Sequence, residues 1–284
     1  MINLDFLSQL KRFGLIVNKR VTSSFAGTKK STHLGRGLIV NDFRQYVPGD
    51  DYRAIDWRIY ARTDNFYVKR YEEEKALTVH VIIDVSKSMT FGTKKYKKFE
   101  YAAMLGLGFA YLAARENNNF FMSTMSKDIV TFRAKRGMSQ VVGFLHHLNK
   151  VKCEGIIEFE ELMRHYKKNI TSRSMIVVIS DFLFNIEEIK NVFPLFKNHE
   201  LKIIQILDRS ETNFELRGSV ILKDSETEKE IETYISEAKR QEYREKLYEH
   251  ILMIEQEARA VGGKFFLLST EQPLFDSFYK ILNT

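Results

Sequence analysis

Apolar and polar positions follow two different patterns along this chain, and the change falls near residue 75. Residues 22–75 are rich in Gly, Thr, Ser and aromatic residues, with turn signals at Gly27, Gly35, Gly37 and Pro48–Gly49, which predicts short strands and loops. Beyond them, apolar runs of strand length alternate with segments of helical period, the pattern of a parallel sheet covered on both faces. We therefore predict an α/β fold, a doubly wound and mostly parallel sheet with a small β-rich N-terminal addition.

The alternation gives a series of predicted elements. The predicted strands are 77–83, 119–125, 128–133, 175–180, 201–207 and 264–268. The predicted helices are 96–115, 137–149, 158–168, 185–196 and about 236–261, with an acidic loop or hairpin over 208–233. These assignments divide the chain into an N-terminal domain, 1–75, and a larger domain, 76–284.

A further helix is predicted over residues 2–17, which space their apolar side chains three and four positions apart. Those side chains are Leu4, Phe6, Leu7, Leu10, Phe13 and Ile16. Such a face can lie on a membrane, on a partner or on its own domain. The last interpretation is favoured because most amphipathic helices cover the core of their own protein.

Charge is unevenly distributed along the chain. The net charge is +7, made of +5 over residues 1–75, +6 over 76–200 and −4 over 201–284. A basic excess is typical of proteins that bind nucleic acid or membranes, but here the two ends of the chain differ in sign. Lysines cluster at positions 94, 95, 97 and 98, and we interpret them as a solvated face or a docking surface for an acidic partner.

The same composition indicates a location. The single Cys153 cannot form an internal disulfide, so nothing points to an oxidising compartment. No stretch approaches the roughly 18 apolar residues of a transmembrane helix, and Asp5, Lys11 and Arg12 interrupt any signal-peptide core. We expect a cytoplasmic protein.

Oxygen-bearing side chains follow two of the predicted strands. Asp84, Ser86 and Ser88 come directly after strand 77–83, and Asp181 follows strand 175–180. Ligands of open parallel sheets bind beyond the carboxyl ends of the strands. Oxygen ligands are what Mg²⁺ prefers, whereas Asp and Ser after a strand also cap helices. Spacing alone leaves both interpretations open, and the arrival of Asp181 at the same edge favours a metal site.

These residues carry a family resemblance. The Asp84-x-Ser86-x-Ser88 motif with Asp181 resembles the metal-ion-dependent adhesion site of von Willebrand factor A domains. The run from Phe43 to Trp57, which reads FRQYVPGDDYRAIDW, resembles the hallmark of the domain of unknown function 58 family. That likeness extends through Val68–Glu74 to the C-terminal segment around Thr270–Leu274.

The resemblance implies a Rossmann-type, von Willebrand factor A-like domain that binds proteins and catalyses nothing. It implies a divalent ion, Mg²⁺ or alternatively Mn²⁺ or Ca²⁺, contacted directly by Ser86 and Ser88, with Asp84 and Asp181 acting directly or through water. An acidic side chain of a partner then completes the coordination. The implied partner is a MoxR-type AAA+ ATPase, with a client protein as a second one.

One position departs from that pattern. Where the family supplies a threonine from a third loop, this chain has Ile157, and no hydroxyl residue lies between Val151 and Glu161. Loss of a neutral oxygen ligand should weaken Mg²⁺ binding, and Glu154 or Glu158 can substitute with a carboxylate.

Two other functional classes stay open as alternatives. A Mg²⁺-dependent phosphoryl hydrolase would use Asp84 as nucleophile, but such enzymes need a second Asp two residues later, where this chain has Ser86. The lysine cluster alone would give only salt-sensitive nucleic-acid binding without sequence specificity. Both classes are disfavoured on these grounds.

The segment from Gly49 to Arg62 mixes acidic and basic residues densely. It contains Asp50, Asp51, Arg53, Asp56, Arg58 and Arg62. Arginine pairs with carboxylates in planar, bidentate geometry, which suits holding irregular backbone in place. We interpret these charges as a salt-bridge network that braces the small N-terminal domain against the sheet and does not catalyse a reaction.

Overall fold

The computed structural model describes residues 2, 5–20, 39–72, 78–134, 137–214, 216–223 and 230–283. Residues Met1–Phe25 and Leu77–Thr284 form one unit, and Ala26–Ala76 form a second. The first helix is thus part of the larger unit, whereas the sequence pattern grouped it with residues 1–75.

Both units mix helices and strands. The larger unit contains the helices α1 Asp5–Arg20, α3 Lys98–Arg115, α4 Met138–Leu148, α5 Phe159–Lys167, α6 Ile186–Val192, α7 Arg209–Asn213, α8 Glu237–Ala260 and α9 Leu274–Asn283. Its strands are β3 Thr78–Asp84, β4 Asn119–Met125, β5 Ile129–Ala134, β6 Ser174–Ser180, β7 Glu200–Leu207, β8 Gly218–Lys223, β9 Glu230–Ile235 and β10 Lys264–Ser269. The smaller unit contains β1 Ile39–Gln45, α2 Trp57–Thr63 and β2 Tyr67–Glu72.

The central sheet has six strands in the order β10-β7-β6-β3-β4-β5, and every pair is parallel except β4 with β5. The predicted mostly parallel α/β architecture is therefore confirmed. Each strand predicted after residue 75 begins and ends within one residue of its expected bounds. The acidic segment 208–233 forms the short helix α7 and part of the antiparallel hairpin β8–β9.

Two hydrophobic clusters cover the two faces of this sheet. On one face, alternate residues of β3 such as Val79, Val81 and Ile83 pack with α1, α3, α4 and α9. On the other, Ile82 of β3 packs with residues of α5, α6 and α8. Burial on both faces explains why the central strands read as nearly continuous apolar runs.

Helix α1 packs on the core of its own chain, as predicted. Phe6, Leu10 and Phe13 are buried, and the ring of Phe13 lies 5.2 Å from that of Phe275 and 5.4 Å from that of Phe278 in α9. No helix in the described parts of the chain is both long and apolar enough to span a bilayer.

The smaller unit pairs β1 with β2 in antiparallel register. Its acidic residues pair with an arginine and with backbone groups. Asp50 accepts two hydrogen bonds from the guanidinium of Arg44, of 2.5 and 2.6 Å, and one from the backbone N–H of Val47 at 3.1 Å. Asp51 and Asp56 accept backbone N–H groups at helix N-termini. The sequence pattern missed α2 and did not identify Arg44 as the arginine that pairs with Asp50.

Candidate functional site

Three neighbouring strands of the sheet end in a buried aspartate. Asp84 is the last residue of β3, Asp181 follows β6, and Asp208 follows β7. The side chains of all three are at most 1% exposed. The chain leaves β3 for β4 on one side and later returns to β6 on the other, so this edge is where the order of the strands reverses and where parallel sheets bind ligands.

Asp84 is held by hydrogen bonds to both of its oxygens. The backbone N–H of Ser86 donates to Oδ1 at 2.7 Å, and the hydroxyl of Ser180 donates to Oδ2 at 2.5 Å. Burial raises the pKa of Asp84 to about 7, the negative charge of Asp181 adds to the rise, and the two serines oppose it. Burial thus disfavours the charged form of this carboxyl.

The two predicted serines lie beside Asp84 and face each other. Ser86 precedes the short 3-10 helix Lys87–Thr90, and its Oγ lies 2.9 Å from the Oγ of Ser88. Ser86 is buried and Ser88 is half-buried, so the pair is partly open to solvent. The spacing of every second residue thus brings the two hydroxyls together.

Asp181 is engaged by a buried lysine. The Nζ of Lys98 lies 2.8 Å from Oδ2 of Asp181 and 2.7 Å from Oε1 of Glu211, and Lys98 is 1% exposed. Burial alone would lower the pKa of Lys98, but the two carboxylates outweigh it and raise the pKa above its ordinary value. The interpretation of residues 94–98 as a solvated face is therefore wrong for Lys98.

The backbone after Asp181 is in an uncommon conformation. Phe182 has a φ of 51°, in the left-handed region that bulky residues rarely adopt. The hydroxyl of Ser180 accepts a hydrogen bond from the backbone N–H of Phe182 at 3.0 Å. The carbonyl oxygen of Phe182 lies 2.7 Å from Nε2 of His250 in α8. Such strain persists only where the surroundings hold it, and it is concentrated at functional sites.

Asp208 was missed by the sequence analysis. It accepts hydrogen bonds from the backbone and hydroxyl of both Thr93 and Ser210 and from the hydroxyl of Thr270. Burial would raise its pKa, but these donors outweigh burial and keep the pKa well below its ordinary value. Its position directly after an apolar strand, like that of Asp84 and Asp181, was the available signal.

The third loop, between Val151 and Glu161, lies beside Ser86 and Ser88. Position 157 in this loop supplies no side-chain oxygen. The N–H of Glu154 donates to the carbonyl of Val85 at 3.0 Å, and the N–H of Lys87 donates to the carbonyl of Gly155 at 3.2 Å. Ile157 is buried in the second hydrophobic cluster, whereas the side chains of Glu154 and Glu158 are exposed.

The side-chain oxygens of Ser86, Ser88 and Asp84 fit a hard divalent cation that is held mainly by hydroxyls. An octahedral Mg²⁺ with ligands at roughly 2.0–2.1 Å needs neighbouring oxygens about 2.9 Å apart, which matches the separation of the Ser86 and Ser88 hydroxyls. Among the described residues, no group of three His, Cys, Asp or Glu side chains could hold a metal. Such a site would therefore rest on the two serines, with Asp84 behind them.

Comparison with known sequences gives a family and several relatives. The family described as "Protein of unknown function DUF58" matches residues 42–251. The uncharacterized protein Rv1480 of Mycobacterium tuberculosis (strain ATCC 25618 / H37Rv) is 24% identical over 271 residues, which cover 93% of this chain and 84% of that protein. The uncharacterized protein YeaD of Bacillus subtilis (strain 168) is 20% identical over 144 residues, covering 51% of this chain and 34% of that protein.

Two solved structures are also similar. The conserved hypothetical protein BatB from Bacteroides thetaiotaomicron has a TM-score of 0.46 at 13% identity, over 72% of this chain and 97% of that one. An aerotolerance-related membrane protein from Bacteroides fragilis NCTC 9343 has a TM-score of 0.48 at 15% identity, over 73% and 98%. Both TM-scores are too low for either structure to bear on the function.

Proposed function

Since this chain belongs to the DUF58 family of proteins of unknown function, we propose that it is a non-enzymatic, metal-dependent protein-binding module. In this proposal its sheet domain is von Willebrand factor A-like, and the chain works in the cytoplasm as an adaptor between a MoxR-type AAA+ ATPase and a client protein. The observation that carries the proposal is the pair of Ser86 and Ser88 hydroxyls, 2.9 Å apart, beside the buried carboxyl of Asp84.

The residues that would hold the ion are Ser86 and Ser88, with Asp84 and Asp181 close by. When bound, Mg²⁺, Mn²⁺ or Ca²⁺ would supply an open coordination position for a carboxylate of the partner. The chain itself fixes the two hydroxyls: Asp84 accepts the N–H of Ser86, and the 3-10 helix that follows places Ser88. Recognition at this edge would then depend on the ion.

The surroundings leave room for a protein partner. Beside the third loop lies an open cavity of about 980 Å³ whose lining includes Lys127, Arg164 and Lys168 together with Glu158 and Glu161. Side chains of both signs at the wall of a shallow cavity suit the polar rim of a protein interface better than a small apolar ligand.

The arrangement also supports a role without bond breaking. A nucleophilic Asp84 would need a neighbouring general acid, but the residue two positions later is Ser86, and Asp181 is bonded to Lys98. A phosphatase screen with Mg²⁺ should therefore detect no turnover. Robust turnover that Asp84→Asn abolishes would contradict this part of the proposal.

The test of the adaptor role has two steps. Calorimetry with Mg²⁺ and Mn²⁺ should show binding by the native chain that Ser88→Ala weakens and Asp84→Ala abolishes. A pull-down with a MoxR-type ATPase should then show association that needs the ion and is lost in Asp84→Ala.

The control is Glu249→Ala, which removes an exposed carboxylate from α8, outside the lining of that cavity, and should change neither result. Association with the ATPase that is indifferent to Asp84→Ala and to removal of the ion would refute the metal mechanism. Absence of any association would refute the adaptor role.

A further inference from the structure

The least expected charge at the sheet edge is the ammonium of Lys98. It is the first residue of α3, and its Nζ lies between Asp181 and Glu211 at 2.8 and 2.7 Å. The side chains of Lys98 and Asp181 are both 1% exposed, so their charges are screened little by solvent. The ammonium is thus a fixed cation among the carboxylates of the proposed ion site.

The ammonium of Lys98 occupies one of the two carboxylate oxygens of Asp181. Oδ2 is bonded to Nζ of Lys98, and Oδ1 accepts the backbone N–H of Leu183 at 3.3 Å. Both oxygens therefore have partners within the chain. A divalent ion that used Asp181 as a direct ligand would have to displace Lys98 from this carboxylate. The ammonium would keep its pairing with Glu211 but would lose that with Asp181 and lie beside a second positive charge in a buried site, which is unfavourable.

Asp84 differs in this respect. Its two oxygens accept hydrogen bonds from neutral donors, the N–H of Ser86 and the hydroxyl of Ser180, and none of the basic side chains in the described part of the chain forms an ion pair with it. A second positive charge at this edge is therefore favoured beside Asp84 and the two serine hydroxyls, and disfavoured beside Asp181.

We infer that Lys98 is a built-in cation that withholds Asp181 from the ion, so that a divalent ion binds through Ser86, Ser88 and Asp84 with reduced affinity. This inference rests on the proposed function and assigns the regulation of the same site. Lys98 acts as a positioning residue, since it sets which side chains are free to coordinate and keeps the site weakly binding.

The test uses Mn²⁺ alone and follows its binding by electron paramagnetic resonance and by the increase in melting temperature. Lys98→Met frees Asp181, so Mn²⁺ affinity should rise about tenfold or more, because groups that hold metal ligands typically change affinity by about 10–100-fold. Lys97→Met removes an exposed lysine next to it and should leave the affinity unchanged.

Two double variants separate coordination from the general effect of charge. K98M/D181N and K98M/E211Q each restore the net charge of the native chain. The gain in affinity should persist in K98M/E211Q and disappear in K98M/D181N. An unchanged or weaker affinity in Lys98→Met, or equal loss of the gain in both double variants, would overturn the inference.

Crystals of the native chain with Mn²⁺ provide a measurement that does not depend on a variant folding. Anomalous scattering should place the ion beside Ser86 and Ser88, with Lys98 still bonded to Asp181. An ion bound directly to Asp181, with Lys98 turned away, would contradict the inference.

The binding measurements also separate this inference from the proposed function. If Lys98→Met binds Mn²⁺ and the native chain does not, the inference stands and the metal-dependent part of the proposed function fails. If the native chain and Lys98→Met bind Mn²⁺ equally, the inference fails and the metal-dependent part of the proposed function stands.

Discussion

Three buried aspartates at one sheet edge are stabilised in three different ways. Asp208 accepts hydrogen bonds from three residues, Asp181 is paired with an ammonium, and Asp84 has two neutral donors. Burial raises the pKa of Asp84 to about 7, whereas the hydrogen-bond donors around Asp208 hold its pKa well below the ordinary value. Asp84, which has neither an ammonium partner nor as many donors as Asp208, is therefore the carboxyl beside which a further cation gains most.

Asp208 should matter for stability in its own right. Asp208→Ala removes the N-terminal cap of α7 and the acceptor for Thr93 and Thr270, so the free energy of unfolding should fall by about 3 kcal/mol. Urea denaturation measures this loss. Asp276→Ala, at an exposed position in the first turn of α9, should cost less than about 1 kcal/mol. Equal losses in the two variants would contradict the prediction.

His80 should make stability depend on pH. It lies within β3, stacks on Phe121 and is hydrogen-bonded to the hydroxyl of Tyr166 at 2.9 Å. Burial lowers the pKa of His80 to about 4, and the charge of His199 contributes. Because the unfolded chain takes up this proton below about pH 6.5 and the folded chain only below about pH 4, the contribution is present above pH 6.5 and lost as the pH falls toward 4.

The full loss amounts to about 3 kcal/mol of unfolding free energy. Denaturation curves of the native chain and of His80→Gln, recorded from about pH 7 to pH 4, should show a shallower pH dependence in the variant. His165→Gln changes an exposed histidine and should retain the native slope. Parallel pH profiles for the native chain and His80→Gln would refute the assignment.

At the scale of elements, the contact between α1 and α9 makes a separate prediction. Phe13 is 8% exposed and contacts two phenylalanines of α9. Phe13→Ala should lower the free energy of unfolding by about 3 kcal/mol, through lost burial and the cavity left behind. Lys11→Ala alters the exposed face of α1 and is the matched control, with an expected change within about 0.5 kcal/mol. A loss in Phe13→Ala as small as that expected for Lys11→Ala would mean that the apolar face of α1 contributes little.

The order of elements was predictable because the periodicities of strand and helix differ and the central strands are buried on both faces. Helix α9 was overlooked although Leu274, Phe275, Phe278, Ile281 and Leu282 are spaced as one face of a helix. Helix α2 has seven residues, too few for a clear period. Local pattern therefore predicted most elements and missed α2 and α9.

The candidate site was predictable in part. The strand ends place Asp84, Ser86, Ser88 and Asp181 at one edge of the sheet. Lys98, however, follows three other lysines, at positions 94, 95 and 97, and the cluster as a whole was interpreted as exposed. A signal was present in α3: the residues from Tyr101 to Ala114 are almost all apolar, and all of them are buried. A helix that is apolar on every side is enclosed by the protein, and Lys98 is its first residue. The pairing with Glu211 joins segments far apart in sequence and could not be predicted from local pattern.

At the scale of the whole molecule, two lysines of the basic cluster at 94–98 are paired with carboxylates of the same chain. Lys98 is buried in ion pairs, and Lys94 pairs with Glu271 at 2.8 Å. Fluorescence anisotropy with duplex DNA and single-stranded RNA should therefore show binding only at low ionic strength, lost by about 150 mM salt. Tight binding that survives moderate salt would contradict this prediction.

The contact between α1 and α9 also has a consequence for how the chain folds. It joins residues that lie far apart in sequence, and closing so long a loop costs conformational entropy, so α1 should dock late in refolding. Until it docks, Phe6, Leu10 and Phe13 form an exposed apolar stripe, a feature that promotes association of partly folded chains. Replacing Phe275 and Phe278 together by Ala would weaken the docked state, so the yield of soluble protein on refolding should fall relative to the native chain.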